Sequence, residues 1–181
     1  MDQIRRDRIV TIPNILTVIR MALLPAVVWR FQKGDSLGAF VVYLMAMMTD
    51  AVDGILARRL NQITALGKLL DPLADKLSLL VLIGLFVADG QIPLWVLTVI
   101  LLKEVLLIIG SGVALKRGIV VYALPIGKVT TVGFIASITS RFLGWKLAAD
   151  WLLYICVALS IISLLWYTQV VARKMKESRK N

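Results

Sequence analysis

Residues 50–76 read DAVDGILARRLNQITALGKLLDPLADK and set four aspartates, Asp50, Asp53, Asp71 and Asp75, in or beside strongly apolar sequence. Carboxylates in such surroundings are costly unless something compensates their charge. Their spacing says what that is. Asp50 and Asp53 are three apart and Asp71 and Asp75 four apart, so each pair lies on one face of a helix. The short link between the pairs predicts antiparallel neighbouring helices with both pairs at similar depth. Four convergent carboxylates do not all stay ionised without cations. Oxygen donors in this number suit hard divalent ions such as Mg²⁺ or Mn²⁺. Two such ions sharing a bridging carboxylate would make a clamp for a pyrophosphate.

The residues between the acids fit a bulky ligand. Gly54 and Ala57 fall on the carboxylate face of the first helix, and Gly67 opens the second, so a phosphorylated group can approach the backbone. Small residues also serve helix–helix packing in membranes, and it is the four acids beside them that favour a ligand. Arg58, Lys68 and Lys76 stand nearby as positive charges, and Pro72 is expected in the first turn of its helix, where a missing N–H costs little. The chain has no histidine and a single cysteine, Cys156. Imidazole bases, imidazole-held zinc and CxxC metal sites are therefore excluded, and any catalysis runs on carboxylates, amines, hydroxyls and metal ions.

The elements that hold these residues are membrane helices. Of 181 residues, 59% are hydrophobic and 18% charged, with a mean hydropathy of +0.85. Soluble domains are about 45–50% apolar and about 25% charged. A helix needs roughly 20 apolar residues to cross the bilayer. Six segments qualify, at about 11–32, 37–58, 67–88, 92–115, 124–145 and 148–172. The first is too long for a cleaved signal peptide and lacks a small-residue cleavage site. The expected fold is all-α: a polytopic membrane protein of six transmembrane helices, residues 1–181 forming one domain. Residues 1–10, MDQIRRDRIV, form a juxtamembrane segment suited to a short surface helix on anionic headgroups. Residues 173–181 are a basic tail.

With the N-terminus inside, twelve lysines and arginines fall on the inner side and four (Arg30, Lys33, Arg141, Lys146) on the outer. That bias puts both termini, and the acidic cluster, on the cytoplasmic side. Trp95, Trp145 and Trp151 then sit near outer helix ends, as interfacial anchors do. Positive-inside topology also accounts for most of the +10 net charge, leaving no call for nucleic acid.

The acidic stretch reads D-x2-D-G-x2-A-R-x8-G-x3-D-x3-D through Asp50, Asp53, Gly54, Ala57, Arg58, Gly67, Asp71 and Asp75. This resembles the signature of the CDP-alcohol phosphatidyltransferases at all eight of its fixed positions. PNILTVIR (13–20) resembles the family's first-span PNxLTxxR, and GKLLDPLADK (67–76) resembles its bacterial phosphatidylglycerophosphate synthases. The likeness is strong over 13–76 and weak beyond 100. It implies an enzyme of phospholipid biosynthesis in which two metal ions, Mg²⁺ or Mn²⁺, bind the pyrophosphate of CDP-diacylglycerol. An acceptor alcohol attacks the phosphate that bears the lipid, and CMP leaves. Carried over, Asp50, Asp53 and Asp71 are metal ligands, with Asp71 bridging, and Asp75 is both ligand and general base. Gly54, Ala57, Arg58 and Gly67 line the nucleotide site, with Asn14 and Thr17 beside it. The family also implies a homodimer.

The acceptor is the less determined part. Enzymes using glycerol-3-phosphate carry an Arg-Glu pair and a further arginine in the fourth span; here the pair is Lys103-Glu104, and Ser111 takes the second position. Lysine keeps the charge without arginine's bidentate fork. Lys103 and Lys128, with Arg117, form the expected phosphate-binding patch, and Glu104 is placed to pair with Lys103 or Arg141. Glycerol-3-phosphate is the expected acceptor, a small phosphorylated alcohol; phosphatidylglycerol (the cardiolipin synthase type) is the alternative, followed by inositol phosphate or serine. A cation transporter is a reading of another class. It would spread acids through the bilayer's depth, whereas these four gather at one end.

Overall fold

The computed structural model describes residues 11–59, 67–116 and 125–177, with the backbone alone over 50–59, over 67–72 and at a few other helix-end positions. The expected surface helix over 1–10 lies outside the described residues. Six helices follow in order: α1 (Ile12–Gln32), α2 (Ser36–Arg59), α3 (Gly67–Ala88), α4 (Leu94–Lys116), α5 (Pro125–Phe142) and α6 (Lys146–Glu177). Among the described residues there is no strand. Three helices are long and apolar enough to cross a bilayer, over Asn14–Gln32, Leu94–Leu115 and Lys146–Lys174, and Ser36–Thr49 is a shorter apolar stretch.

The helices begin and end where local chemistry dictates. Thr11 caps α1, its hydroxyl accepting from the Asn14 N–H at 3.4 Å, and Pro13 occupies the first turn, where no N–H is needed. At the other end Gly34 takes φ +81°, and the Asp35 N–H reaches back to the Arg30 carbonyl at 3.1 Å. Gly144 does the same after α5, at φ +77°, with the Trp145 N–H on the Ser140 carbonyl at 2.9 Å. Both are left-handed closures that a side chain would strain, and each turns its chain straight into an antiparallel partner. In the first turn Asp35 also accepts from the Gly38 N–H at 2.8 Å and from Arg30 at 2.7 Å. Those two bonds hold its carboxyl below the usual carboxylate range.

The chain divides into two compact units, Met1–Leu85 and Phe86–Asn181. In the first, α1 and α2 pack along their length. Ala39, Tyr43 and Ala46, spaced by a helical turn, are buried on α2, and Leu24 and Val27 on α1. In the second, α5 packs on α6 and α4 on α6. Ser137 donates to the Ala149 carbonyl at 2.8 Å, Gly110 of α4 lies against Tyr167 of α6, and Trp95 stacks on Tyr154 at 6.0 Å.

Three details differ from the sequence reading. Arg141 is buried rather than an outer surface cation. It pairs with Asp150 at 2.5 Å, donates to the Gln91 carbonyl at 2.9 Å and lies 5.8 Å from the Phe86 ring centroid. A cation so placed neutralises a carboxylate and ties the end of α5 to α6 and to the chain after α3. Second, α6 runs on to Glu177, so Arg173, Lys174 and Lys176 extend a helix rather than begin a tail. Third, α3 starts at Gly67, which puts Pro72 in the second turn; there its missing N–H leaves the Lys68 carbonyl without its helical donor.

At Gly133 α5 lies tight against α6, and an added Cβ would overlap the Cys156 Sγ. Gly133→Ala is expected to destabilise the protein by roughly 1–3 kcal/mol through overpacking. Gly133→Ala combined with Cys156→Ala recovers part of the loss, as measured by thermal unfolding in detergent.

Candidate functional site

One face of α1 carries the site end of the first unit. Its buried residues are Thr11, Asn14, Thr17 and Arg20, then Leu24 and Val27, spaced by three or four as a helix stripe requires. The stripe is polar in its first half and apolar in its second. Because the Gly34 turn makes α2 antiparallel to α1, and both rise about 1.5 Å per residue, the polar half lies level with the C-terminal part of α2. That part carries Asp50, Asp53, Gly54, Ala57 and Arg58. Thr49, just before it, donates to the Ala46 carbonyl at 2.7 Å.

The third helix supplies the opposing charge. Arg20 donates from its NH1 to Asp75 Oδ1 at 2.8 Å, with the arginine side chain 4% and the aspartate 50% exposed. The contact joins residues 55 apart in sequence. Asp71 stands one turn before Asp75 on the same helix, and Ala74 beside it is fully buried. Immediately beyond this ion pair a cavity of about 430 Å³ opens between α1 and α3, lined by Met21, Leu24, Pro25, Val28, Leu77 and Val81 among others. A charged end thus passes directly into an apolar trough, the shape demanded by a ligand with a polar head and a hydrocarbon tail.

The structure therefore brings Asn14, Thr17 and Asp75 to one end of this unit, and adds Arg20. Asp50, Asp53, Gly54, Ala57 and Arg58 are placed on α2, and Gly67 and Asp71 on α3, by backbone alone; their side chains lie outside the described residues. Among the described residues no three metal-binding side chains cluster. The donor set itself suits hard divalent cations: carboxylates a turn apart on two helices, with no imidazole and no second thiol in the chain.

In the second unit Lys103 pairs with Glu104 at 2.7 Å, both side chains largely buried, at 17% and 13% exposure. Of the two partners open to Glu104, Lys103 is thus the one it meets, while Arg141 is engaged with Asp150. Lys128 is exposed in the first turn of α5. Lys103 stands roughly 20 Å of helix before the end of α4, so the two lysines differ in distance from the segment joining their helices. Arg117 lies outside the described residues.

Arg20 is the residue that sequence reasoning passed over, although it ends the PNILTVIR motif. Its signal was present: a full charge inside an apolar run is by default functional, and it continues the Asn14, Thr17 spacing.

Residues 10–162 match the family described as CDP-alcohol phosphatidyltransferase. A cardiolipin synthase (CMP-forming) of Streptomyces coelicolor is 34% identical over 169 residues, covering 81% of this chain and 78% of that protein. A putative cardiolipin synthase of Mycobacterium tuberculosis is 36% identical over 143 residues, 77% of this chain and 68% of that one. A CDP-diacylglycerol–glycerol-3-phosphate 3-phosphatidyltransferase of Bacillus subtilis is 33% identical over 147 residues, 73% and 76%. The chain belongs to the CDP-alcohol phosphatidyltransferase family. It is a membrane protein and a transferase of phospholipid biosynthesis, which leaves the transporter reading without support.

If the Lys103 charge is committed to Glu104, replacing one partner strands the other in a mostly buried place. Lys103→Met or Glu104→Gln alone should lower the thermal midpoint in detergent more than the two together, because a broken buried pair costs more than an absent one.

Proposed function

We propose that the protein transfers the phosphatidyl group of CDP-diacylglycerol to glycerol-3-phosphate, giving phosphatidylglycerol phosphate and CMP. The observation that carries this reading is Asp75, paired with buried Arg20 at the mouth of an apolar trough, on the turn after Asp71. Asp50, Asp53, Asp71 and Asp75 would hold two divalent ions, Mg²⁺ or Mn²⁺. When bound, these ions supply charge neutralisation for the donor's pyrophosphate. Asp75 takes the proton from the acceptor hydroxyl as its oxygen attacks the lipid-bearing phosphorus and the bond to CMP breaks. With no histidine available, a carboxylate tuned by its surroundings is the natural base. Gly54, Ala57, Arg58 and Gly67, with Asn14 and Thr17, receive the nucleotide, and the small Gly54, Ala57 and Gly67 let it close on the backbone. The trough between α1 and α3 takes hydrocarbon of the donor. The rest of the chemistry is positioning, as phosphoryl transfer asks.

In this reading all six helices span the cell membrane, residues 1–181 act as one domain, and the functional unit is a homodimer. Both termini and the active site face the cytoplasm, where the nucleotide leaves. Lys128 and Arg117 receive the acceptor's phosphate, with the Lys103 charge spent on Glu104. Phosphatidylglycerol is the second reading, favoured by the Lys103–Glu104 pair, which takes charge from that patch, and by the relatives named cardiolipin synthase. A monoanionic diester with its own acyl chains asks less of the lysines than a phosphate monoester does.

Asp75→Asn should reduce turnover by roughly 10²–10⁴-fold, as loss of a general base does, while CDP-diacylglycerol still binds. Retention of more than about a tenth of the rate would remove that role. The acceptor is decided by offering purified protein CDP-diacylglycerol with glycerol-3-phosphate or phosphatidylglycerol and identifying the lipid product; phosphatidylglycerol phosphate is expected. Lys128→Gln should raise the KM for glycerol-3-phosphate about ten- to a hundred-fold, the value of a charge-assisted contact. Turnover with phosphatidylglycerol alone would establish the cardiolipin-type reaction.

A further inference from the structure

We propose that Arg20 is a positioning residue for Asp75, fixing from the first helix the carboxylate that acts on the third; this rests on the role given to Asp75 above. Arg20 belongs to the buried stripe of α1, and its side chain is 4% exposed. Asp75 is the open member, half exposed, on a helix whose own backbone does not determine the rotamer of an aspartate at its surface. A direct tether between them runs from NH1 to Oδ1 at 2.8 Å. Arginine suits this task better than lysine. Its planar guanidinium is rigid, permanently charged and directional, so a donor anchored by packing dictates where an oxygen sits.

The geometry divides the carboxylate's work. Oδ1 is the oxygen that Arg20 holds, so the carboxylate plane is set by a residue that does not itself need to touch either substrate. An aspartate that must meet an acceptor hydroxyl within hydrogen-bond reach gains from such constraint, since small misplacements of a reacting group cost rate steeply. Ser78, one turn further along α3, is turned to its own backbone, donating to the Ala74 carbonyl at 2.7 Å, and does not compete for the carboxylate through that bond.

The test is a double-mutant cycle read in two ways. Arg20→Gln should lower kcat by about 10–100-fold with the KM for CDP-diacylglycerol nearly unchanged, the pattern of an interaction that matters in the transition state. In an Asp75→Asn background the same substitution should lower kcat by no more than about twofold, because residues acting as a unit are not additive. Arg20→Lys, which keeps the charge and spares the fold, should recover only part of kcat. The second readout needs no substrate. In detergent, Asp75→Asn should lower the thermal midpoint, and adding Arg20→Gln should restore part of it, because the single variant leaves a buried guanidinium facing a neutral amide. Equal fold-losses from Arg20→Gln in both backgrounds, or a raised donor KM with kcat intact, would overturn the proposal. So would midpoint shifts that simply add. Wild-type turnover by Asp75→Asn would remove the Asp75 role and this inference with it, whereas additive effects beside an inactive Asp75→Asn would remove this inference alone.

Discussion

A buried charge in an apolar protein needs an opposite charge within hydrogen-bond reach, and the structure is organised around that constraint. Arg20 meets Asp75, Lys103 meets Glu104 and Arg141 meets Asp150. In each pair the cation is largely buried, so removing its carboxylate leaves it less well compensated. Such pairs specify which elements meet more than they stabilise. Arg20 selects the turn of α3 that faces α1, and Arg141 selects the start of α6 and the chain after α3.

The two units share one way of building a hairpin and differ in what it holds. Each has a tight left-handed closure, at Gly34 or Gly144, followed by an antiparallel helix packed over small residues. Ala39 and Ala46 let α2 come close to α1, and Gly133 lets α5 come close to α6. In the first unit that closeness buries a polar stripe, Thr11 to Arg20, beside the acidic end of α2. In the second, the buried residues of α5 include Thr130, Ser137, Ser140 and Arg141 beside Phe134 and Ile138, and the Ser137 hydroxyl bonds the Ala149 carbonyl. The four aspartates of the proposed site belong to the first unit, and the basic residues proposed for the acceptor belong to the second.

Much of this was legible in the sequence, for identifiable reasons. Helix limits agree closely with the apolar segments because Gly34, Gly90 and Gly144 mark the breaks. The aspartates were legible because carboxylates in apolar sequence have few explanations, and their spacing fixes a face without knowledge of tertiary structure. Pairings were not. Arg20 finds a partner 55 residues away, and Arg141 was counted as a surface cation because sequence position alone put it near an outer helix end. Glu104 had two candidates, and only packing chose between them. Pro72, five residues after the Gly67 start that the sequence also marks, falls in the second turn of α3 rather than the first.

The central claim is that the acidic ends of α2 and α3 form one divalent-cation site serving the donor's pyrophosphate. Its most direct test counts Mn²⁺ bound per chain by electron paramagnetic resonance, in purified protein without lipid substrate and again with CDP-diacylglycerol. The account predicts about two ions per chain with donor present, the shared-carboxylate arrangement expected of paired-metal sites, and loss of binding in Asp53→Asn or Asp71→Asn. Donor binding without Mn²⁺, or Mn²⁺ occupancy indifferent to those substitutions, would contradict it.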